Sequence, residues 1–194
     1  MAEELNNNQN STERFFTISV LTENKSGLLN GVTIIFTRRK INIESINVSE
    51  SEVEGVSRYT IVIKTTQQKA ENIVKQIRKL IEVLGAFLYE VENTYFQEMA
   101  LYKVPTEIFM NGNTIEKIVR DNFARILVIE RDHIIIEKTG HTDEIKRLFD
   151  MLKPYGILEF VKSARISISK SKRKTETFLQ ELEEASSNSI TNKN

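Results

Sequence analysis

The chain contains no cysteine. That excludes disulfides, thiolate metal sites and cysteine nucleophiles. It has only two histidines, His133 and His141, which leaves a zinc enzyme or a Ser-His-Asp hydrolase short of its parts. Charge of one sign is lacking too: Lys plus Arg is 27 and Asp plus Glu is 27. Without a positive excess no nucleic-acid partner is expected. No apolar run approaches the roughly 18 residues of a membrane-spanning helix. The start, Met1-Ala2-Glu3-Glu4-Leu5-Asn6, lacks the basic-then-apolar pattern of a secretory signal. A cytoplasmic location with no membrane partner is expected. Neither a Gly-x-Gly-x-x-Gly nor a Gly-x-x-x-x-Gly-Lys-Ser/Thr phosphate loop is present.

What remains is a globular composition, 40% hydrophobic and 28% charged over 194 residues, enough for one medium domain or two small ones. Residues 1–13 are polar and aperiodic and read as a disordered arm. Phe16, Ile18 and Val20 then alternate with Thr17 and Ser19, which predicts a strand. Leu28, Leu29, Val32, Ile35 and Phe36 recur at helical spacing, with Ser26 as the expected N-cap. Two strands follow, joined by a turn at Glu54-Gly55. In the first, the parity shift from Ile41 and Ile43 to Ile46 and Val48 predicts a bulge or bend. Ala70, Ile73, Val74, Ile77, Leu80, Ile81 and Leu84 form the stripe of a second helix, with Gly85 as its expected cap. Ala86 to Val91 gives a fourth strand.

This strand–helix–strand–strand–helix–strand order is the ferredoxin-like βαββαβ unit. It repeats after Asn93. Phe96–Val104 predicts a strand, Ile115–Phe123 a helix, and Ala124–Glu130 with His133–Lys138 a hairpin. A helix over Asp143–Leu152 and one long strand over Gly156–Ile168 complete the second unit. The expected fold is α+β, two tandem ferredoxin-like domains over 14–93 and 94–169. A charged tail covers 170–194. It reads as a solvated helix or disorder, or as a small amphipathic contact with a partner through Phe178, Leu179 and Leu182. Each unit leaves one sheet face and two strand edges open, so self-association through them is expected.

One loop has binding character: Glu23-Asn24-Lys25-Ser26-Gly27-Leu28-Leu29. It joins a strand to a helix N-terminus, where free N–H groups and the helix dipole favour a carboxylate. Gly27 lets a ligand approach the backbone. Asn24 offers a donor and an acceptor, as a zwitterionic amino acid requires. The same residues also make a plain capped turn. Asn42, between Ile41 and Ile43, is the second polar feature. It is either a half-buried group in need of a partner or a solvent-facing residue. His133 at a turn and His141 at a helix start read as surface residues.

The stretch Val20-Leu21-Thr22-Glu23-Asn24-Lys25-Ser26-Gly27-Leu28-Leu29 with Arg39-Lys40-Ile41-Asn42-Ile43-Glu44-Ser45-Ile46 resembles the ACT domain of acetolactate synthase (acetohydroxyacid synthase) small subunits. Glu98-Met99-Ala100-Leu101-Tyr102-Lys103-Val104 is similar to the start of that family's second domain. The resemblance implies a regulatory subunit with no catalytic residue, metal or cofactor of its own. It would activate a large subunit that carries thiamine diphosphate, Mg and FAD, and confer inhibition by valine or another branched-chain amino acid. It implies a homodimer through ACT domains, with Asn24, Ser26, Gly27, Leu28 and Leu29 facing Asn42 and Ile43 of the partner subunit. Lys40 stands where the family usually has Gly. That helix end must therefore cap differently, or hold a non-Gly residue at positive φ. The alternatives are a stand-alone amino-acid sensor and an independent enzyme on the same scaffold.

Overall fold

The computed structural model of the chain describes residues 12–110, 114–172, 175 and 177–180. The expected arm up to residue 11 lies outside them. So do Arg173, Lys174, Glu176 and everything from Glu181 onward in the tail, Leu182 included. The chain divides into two compact units: residues up to 95 together with those from 167 onward, and Phe96–Ile166.

The first unit runs β1 (Arg14–Glu23), α1 (Leu28–Arg38), β2 (Ile43–Glu50), β3 (Val56–Thr65), α2 (Gln67–Ile77) and β4 (Val83–Glu90). The antiparallel sheet has the order β2-β3-β1-β4. Phe16, Ile18 and Val20 of β1, with Tyr59, Ile61 and Ile63 of β3, pack against Val32, Phe36, Ala70, Ile73, Val74 and Ile77 of the two helices. The alternation visible in the sequence is therefore the inner face of a sheet under two helices. The predicted bulge is present as a register shift between Ile43 and Ser45 against β3.

Several boundaries moved. Gly27, not Ser26, is the N-cap of α1, and no side chain caps it. The stripe predicted to run on to Leu84 ends at Ile77. Ile81 is 94% exposed, and Leu84 and Gly85 lie inside β4. Gly85 is thus no helix cap; it pairs with Leu21. A short apolar run serves a helix or a buried strand equally well. Here pairing with β1 took residues 83–85 into the sheet.

The second unit holds β5 (Thr94–Pro105), whose first two residues belong to the first unit, then α3 (Thr114–Asp121), β6 (Arg125–Ile129), β7 (His133–Gly140), α4 (Thr142–Leu152) and β8 (Glu159–Lys162). A one-turn helix, Glu107–Met110, precedes α3. The sheet order is β6-β7-β5-β8, with β9 (Ile166–Ser169) also paired to β5. Ala100, Tyr102 and Val104 meet Ile115, Val119, Ile145, Leu148 and Leu152 in its core. The Tyr102 hydroxyl donates to the Ile145 carbonyl at 2.7 Å, and burial pushes its pKa up.

The single long last strand expected from the sequence is two short ones, interrupted at 163–165. The break lets Arg165 turn in to Glu98, a carboxylate only 4% exposed. Glu98 accepts from Lys162 at 2.7 Å, from Thr142 at 3.0 Å and from Arg165 at 3.4 Å. Arg165 also lies 3.7 Å over the Phe96 ring. Burial raises the Glu98 pKa, but the bonds from Lys162 and Thr142 and the charges of Lys162 and Arg165 outweigh it, so the group stays below its ordinary value.

Both units close their first helix by the same device. After α1, Lys40 N–H donates to the Thr37 carbonyl at 3.0 Å and Ile41 N–H to the Phe36 carbonyl at 3.2 Å. After α3, Phe123 N–H donates to Arg120 at 3.0 Å and Ala124 N–H to Val119 at 2.9 Å. These are Schellman closures, with Lys40 at φ 53° and Phe123 at φ 51° where Gly is the usual choice. The positive φ at Lys40 is one of the two outcomes that the missing Gly allowed.

Two outcomes are expected. Lys40→Gly and Phe123→Gly should each stabilise the chain by about 1 kcal/mol, read as a higher urea midpoint. Because the folded Glu98 pKa is depressed, its contribution is present above the unfolded carboxylate value and lost as pH falls through the folded one. Stability should therefore fall below about pH 4.5. Glu98→Gln should lower it by about 3 kcal/mol at neutral pH and flatten that acid limb, as measured by urea midpoints across pH.

Candidate functional site

The loop after β1 is held by its neighbours. Glu23 N–H donates to the Glu82 carbonyl at 3.0 Å, and Asn24 N–H to the Gly55 carbonyl at 2.9 Å. Lys25 pairs with Glu23, and that hydrogen bond raises the lysine pKa. Gly27 sits at φ 86°, ψ −15°, a left-handed conformation that side chains resist. Its carbonyl accepts from Asn30 at 3.1 Å and Gly31 at 3.4 Å. Among the described residues no acceptor meets the N–H groups of Ser26, Gly27, Leu28 or Leu29. These amides converge at a helix N-terminus, which can take a carboxylate. Nothing lies within 4 Å of a Cβ built at Gly27, so space above that backbone is open.

The other residues of the expected site fall as follows. Asn24, Ser26 and Leu29 are exposed, Leu29 by 41%. Leu28 is buried and Ile43 packs on the core. An aliphatic group entering from solvent therefore meets Leu29 first. Asn42 is exposed and donates to the Glu44 carboxylate at 3.3 Å. Of the two readings of Asn42, the solvent-facing one holds within this chain.

The two halves of the expected site are not together in one chain. Ile43 pairs with Ile63, which pairs with Phe16 at the start of β1. The loop leaves β1 at its other end, after Glu23, opposite Val56. From Phe16 to Glu23 is roughly 23 Å at about 3.3 Å per residue. One chain presents amides at one end of its sheet and Asn42 at the other.

On the sheet face away from the helices, Thr17, Leu21, Thr60 and Val62 are buried. This face is not open as expected. Ser19, Leu21, Phe87 and Tyr89 face Ile168, Ser169, Ser171, Thr175 and Phe178 across a cavity of about 740 Å³. The tail contact through Phe178 is thus made within the chain.

His133 Nδ1 lies 2.8 Å from the Asp132 carboxylate, and the His141 ring packs on Phe96 with centroids 4.4 Å apart. His133 is half-buried and His141 exposed. Among the described residues no three metal-ligating side chains gather, and no helix is long and apolar enough to cross a membrane. Sequence reasoning missed the Glu98 cluster. The available signal was parity: Glu98 shares its strand face with Ala100, Tyr102 and Val104, so strand alternation aims a charge at the core.

Known proteins match both units. Residues 18–85 match the family model described as the AHAS small subunit-like ACT domain. Residues 97–171 match the model described as the small subunit of acetolactate synthase. The acetolactate synthase small subunit of Mycolicibacterium smegmatis is 36% identical over 157 residues, 81% of this chain and 92% of that one. The probable small subunit of Archaeoglobus fulgidus is 35% identical over 161 residues, covering 81% of this chain and 98% of that one. The crystal structure of the Thermotoga maritima small subunit superposes with a TM-score of 0.74 at 31% identity, over 82% of this chain and 99% of that one.

The open space around Gly27 makes a specific expectation. Gly27→Ala should cost about 1 kcal/mol from backbone strain alone. Gly27→Asn should cost less, because Asn adopts the left-handed region more readily. Urea midpoints of the two variants test it.

Proposed function

The chain belongs to the acetolactate synthase small-subunit family, and from that premise we propose that it is the regulatory subunit of this enzyme, binding a branched-chain amino acid between the ACT domains of two copies. It activates a catalytic large subunit, which supplies the thiamine diphosphate, Mg and FAD chemistry. This chain supplies no reacting group. It works in the cytoplasm.

The observation that carries the effector site is the separation of its halves within one chain. β2 is an edge strand. It contains neither Pro nor Lys, the residues that commonly blunt an edge. Pairing β2 with its copy about a two-fold axis is antiparallel. It turns the Asn42 end of one strand toward the Glu50 end of the other. Glu50 pairs with Ser57, and Ser57 with Thr22, one residue before the end of β1. Each loop then approaches the partner's Asn42, and two equivalent sites form.

In this arrangement the effector carboxylate takes the amides of Gly27 and Leu28. The ammonium takes the Asn24 side-chain oxygen and acceptors near Asn42. The aliphatic side chain lies on Leu29. Because the ligand touches both copies, it binds one relative orientation better than another, and only such a difference can shift an enzyme between states. A coupling of about 1–3 kcal/mol gives substantial inhibition.

Gly27→Asp places a carboxylate against the effector's own, in a conformation Asp tolerates. Reconstituted with the large subunit, the variant should still activate but lose sensitivity to valine, leucine and isoleucine. Full retained sensitivity would sink the site. Failure of the wild-type chain to raise large-subunit activity, while still binding an amino acid, would favour the stand-alone sensor.

A further inference from the structure

The family match stops at residue 171, yet the next described residues return to the first unit. Phe178 meets Phe87 edge-on, with centroids 4.9 Å apart and planes at 71°. It sits over Gly85. A Cβ at Gly85 would stand 2.6 Å from Phe178 Cε1 and 3.2 Å from Phe87 Cε2. Gly85 does not have the positive φ of Gly27, Gly55 or Gly156. Its backbone does not call for glycine, so what the missing side chain provides is room. A glycine inside a strand weakens it and marks a close approach. Here the approach is that of two aromatic rings.

A second contact lies one helical turn earlier. Arg58 donates to the Thr175 hydroxyl at 2.9 Å and to the Glu52 carboxylate at 3.1 Å. The Thr175 hydroxyl, more than Arg58, holds the Glu52 carboxyl below its usual range. Thr175 and Phe178 both line the cavity of about 740 Å³ described above, so a hydroxyl and a ring hold this part of the chain beside a hollow.

Both pins sit on the structures that fix the loop. Glu52 and Arg58 flank the β2–β3 hairpin, closed by Ser51 N–H to the Val56 carbonyl at 2.8 Å. That hairpin contributes the Gly55 carbonyl that holds Asn24. Gly85 lies three residues after Glu82, whose carbonyl holds Glu23, and it pairs with Leu21 near the end of β1.

We infer that Thr175 and Phe178 act as a strap that, with the ring seated in the Gly85 socket, locks the hairpin and the head of β4 around the 24–27 loop and so raises affinity at the effector site. This rests on the reading of that loop as the effector site. The physical route is pre-organisation. A loop already ordered by the strap loses less freedom on binding.

The test uses the full chain with two substitutions that unseat the strap from opposite sides, Phe178→Ala and Gly85→Ala. Amide hydrogen exchange followed by NMR reads the strap directly. Exchange at Glu23 and Asn24 should quicken by about fivefold or more in both variants, while amides of α4 keep their protection. Calorimetry with valine, leucine and isoleucine should show a similar loss of affinity for whichever binds. Phe178→Leu, which keeps an apolar plug, should restore part of both effects. Unchanged exchange at Glu23 and Asn24 in both variants overturns the strap. So does unchanged affinity alongside faster loop exchange. If the wild-type chain binds none of the three amino acids, the effector reading fails. Exchange then still decides whether the strap orders the loop.

Discussion

The unbroken pairing of β1 with β3, from Arg14 opposite Thr65 to Glu23 opposite Val56, is the constraint on which the first unit depends. A slip of one residue would turn Phe16, Ile18 and Val20 away from the helices, so burial of those side chains fixes the register. The register in turn fixes two positions. The Asn24–Gly27 loop leaves at one end of the sheet, and Asn42 and Ile43 enter at the other. No rearrangement within one chain joins them without breaking that ladder. A ligand that needs both must be held by two chains, and the unpaired edge of β2 is where a second copy can be added.

The two units answer the same topological demands with matching devices. Each closes its first helix by a Schellman turn with a non-Gly residue in the left-handed region. Each hangs four strands in the order that leaves the second strand of the unit at an edge. They differ in what is buried besides hydrocarbon. The first unit has an apolar core and a sheet face covered by its own C-terminal segment. The second buries Glu98 and Arg165 and pairs Glu98 with the exposed Lys162, an arrangement that favours one geometry because an unpaired Glu98 or Arg165 would be a buried charge. The loop, the β2 edge and the tail contact all lie in the first unit.

Much of this was legible as pattern. Alternation located β1, helical spacing located α1 and α4, and the parity shift in β2 marked where its register breaks. The loop was legible too, because Asn, Ser and Gly before an apolar stripe mark a helix start that exposes amides. The failures share a cause. Leu80, Ile81 and Leu84 continue a helical stripe, and only the partner strand β1 decides that residues 83–85 belong to the sheet. Gly156–Ile168 alternates well enough for one strand, and only the pull of Glu98 on Arg165 breaks it. Gly85 reads as a helix stop until Phe178, more than ninety residues later in the chain, is seen to occupy its place.

The sequence by itself determined the two βαββαβ units and the amide-bearing loop. These are local properties, set by side-chain periodicity and by residue types within a few positions. The tertiary structure alone decided which residues face each other across the sheet, the distance between Gly27 and Asn42, the burial of Glu98 and the seating of Phe178. Each of those depends on contacts between residues far apart in the chain, and no local pattern encodes which distant partner will be met.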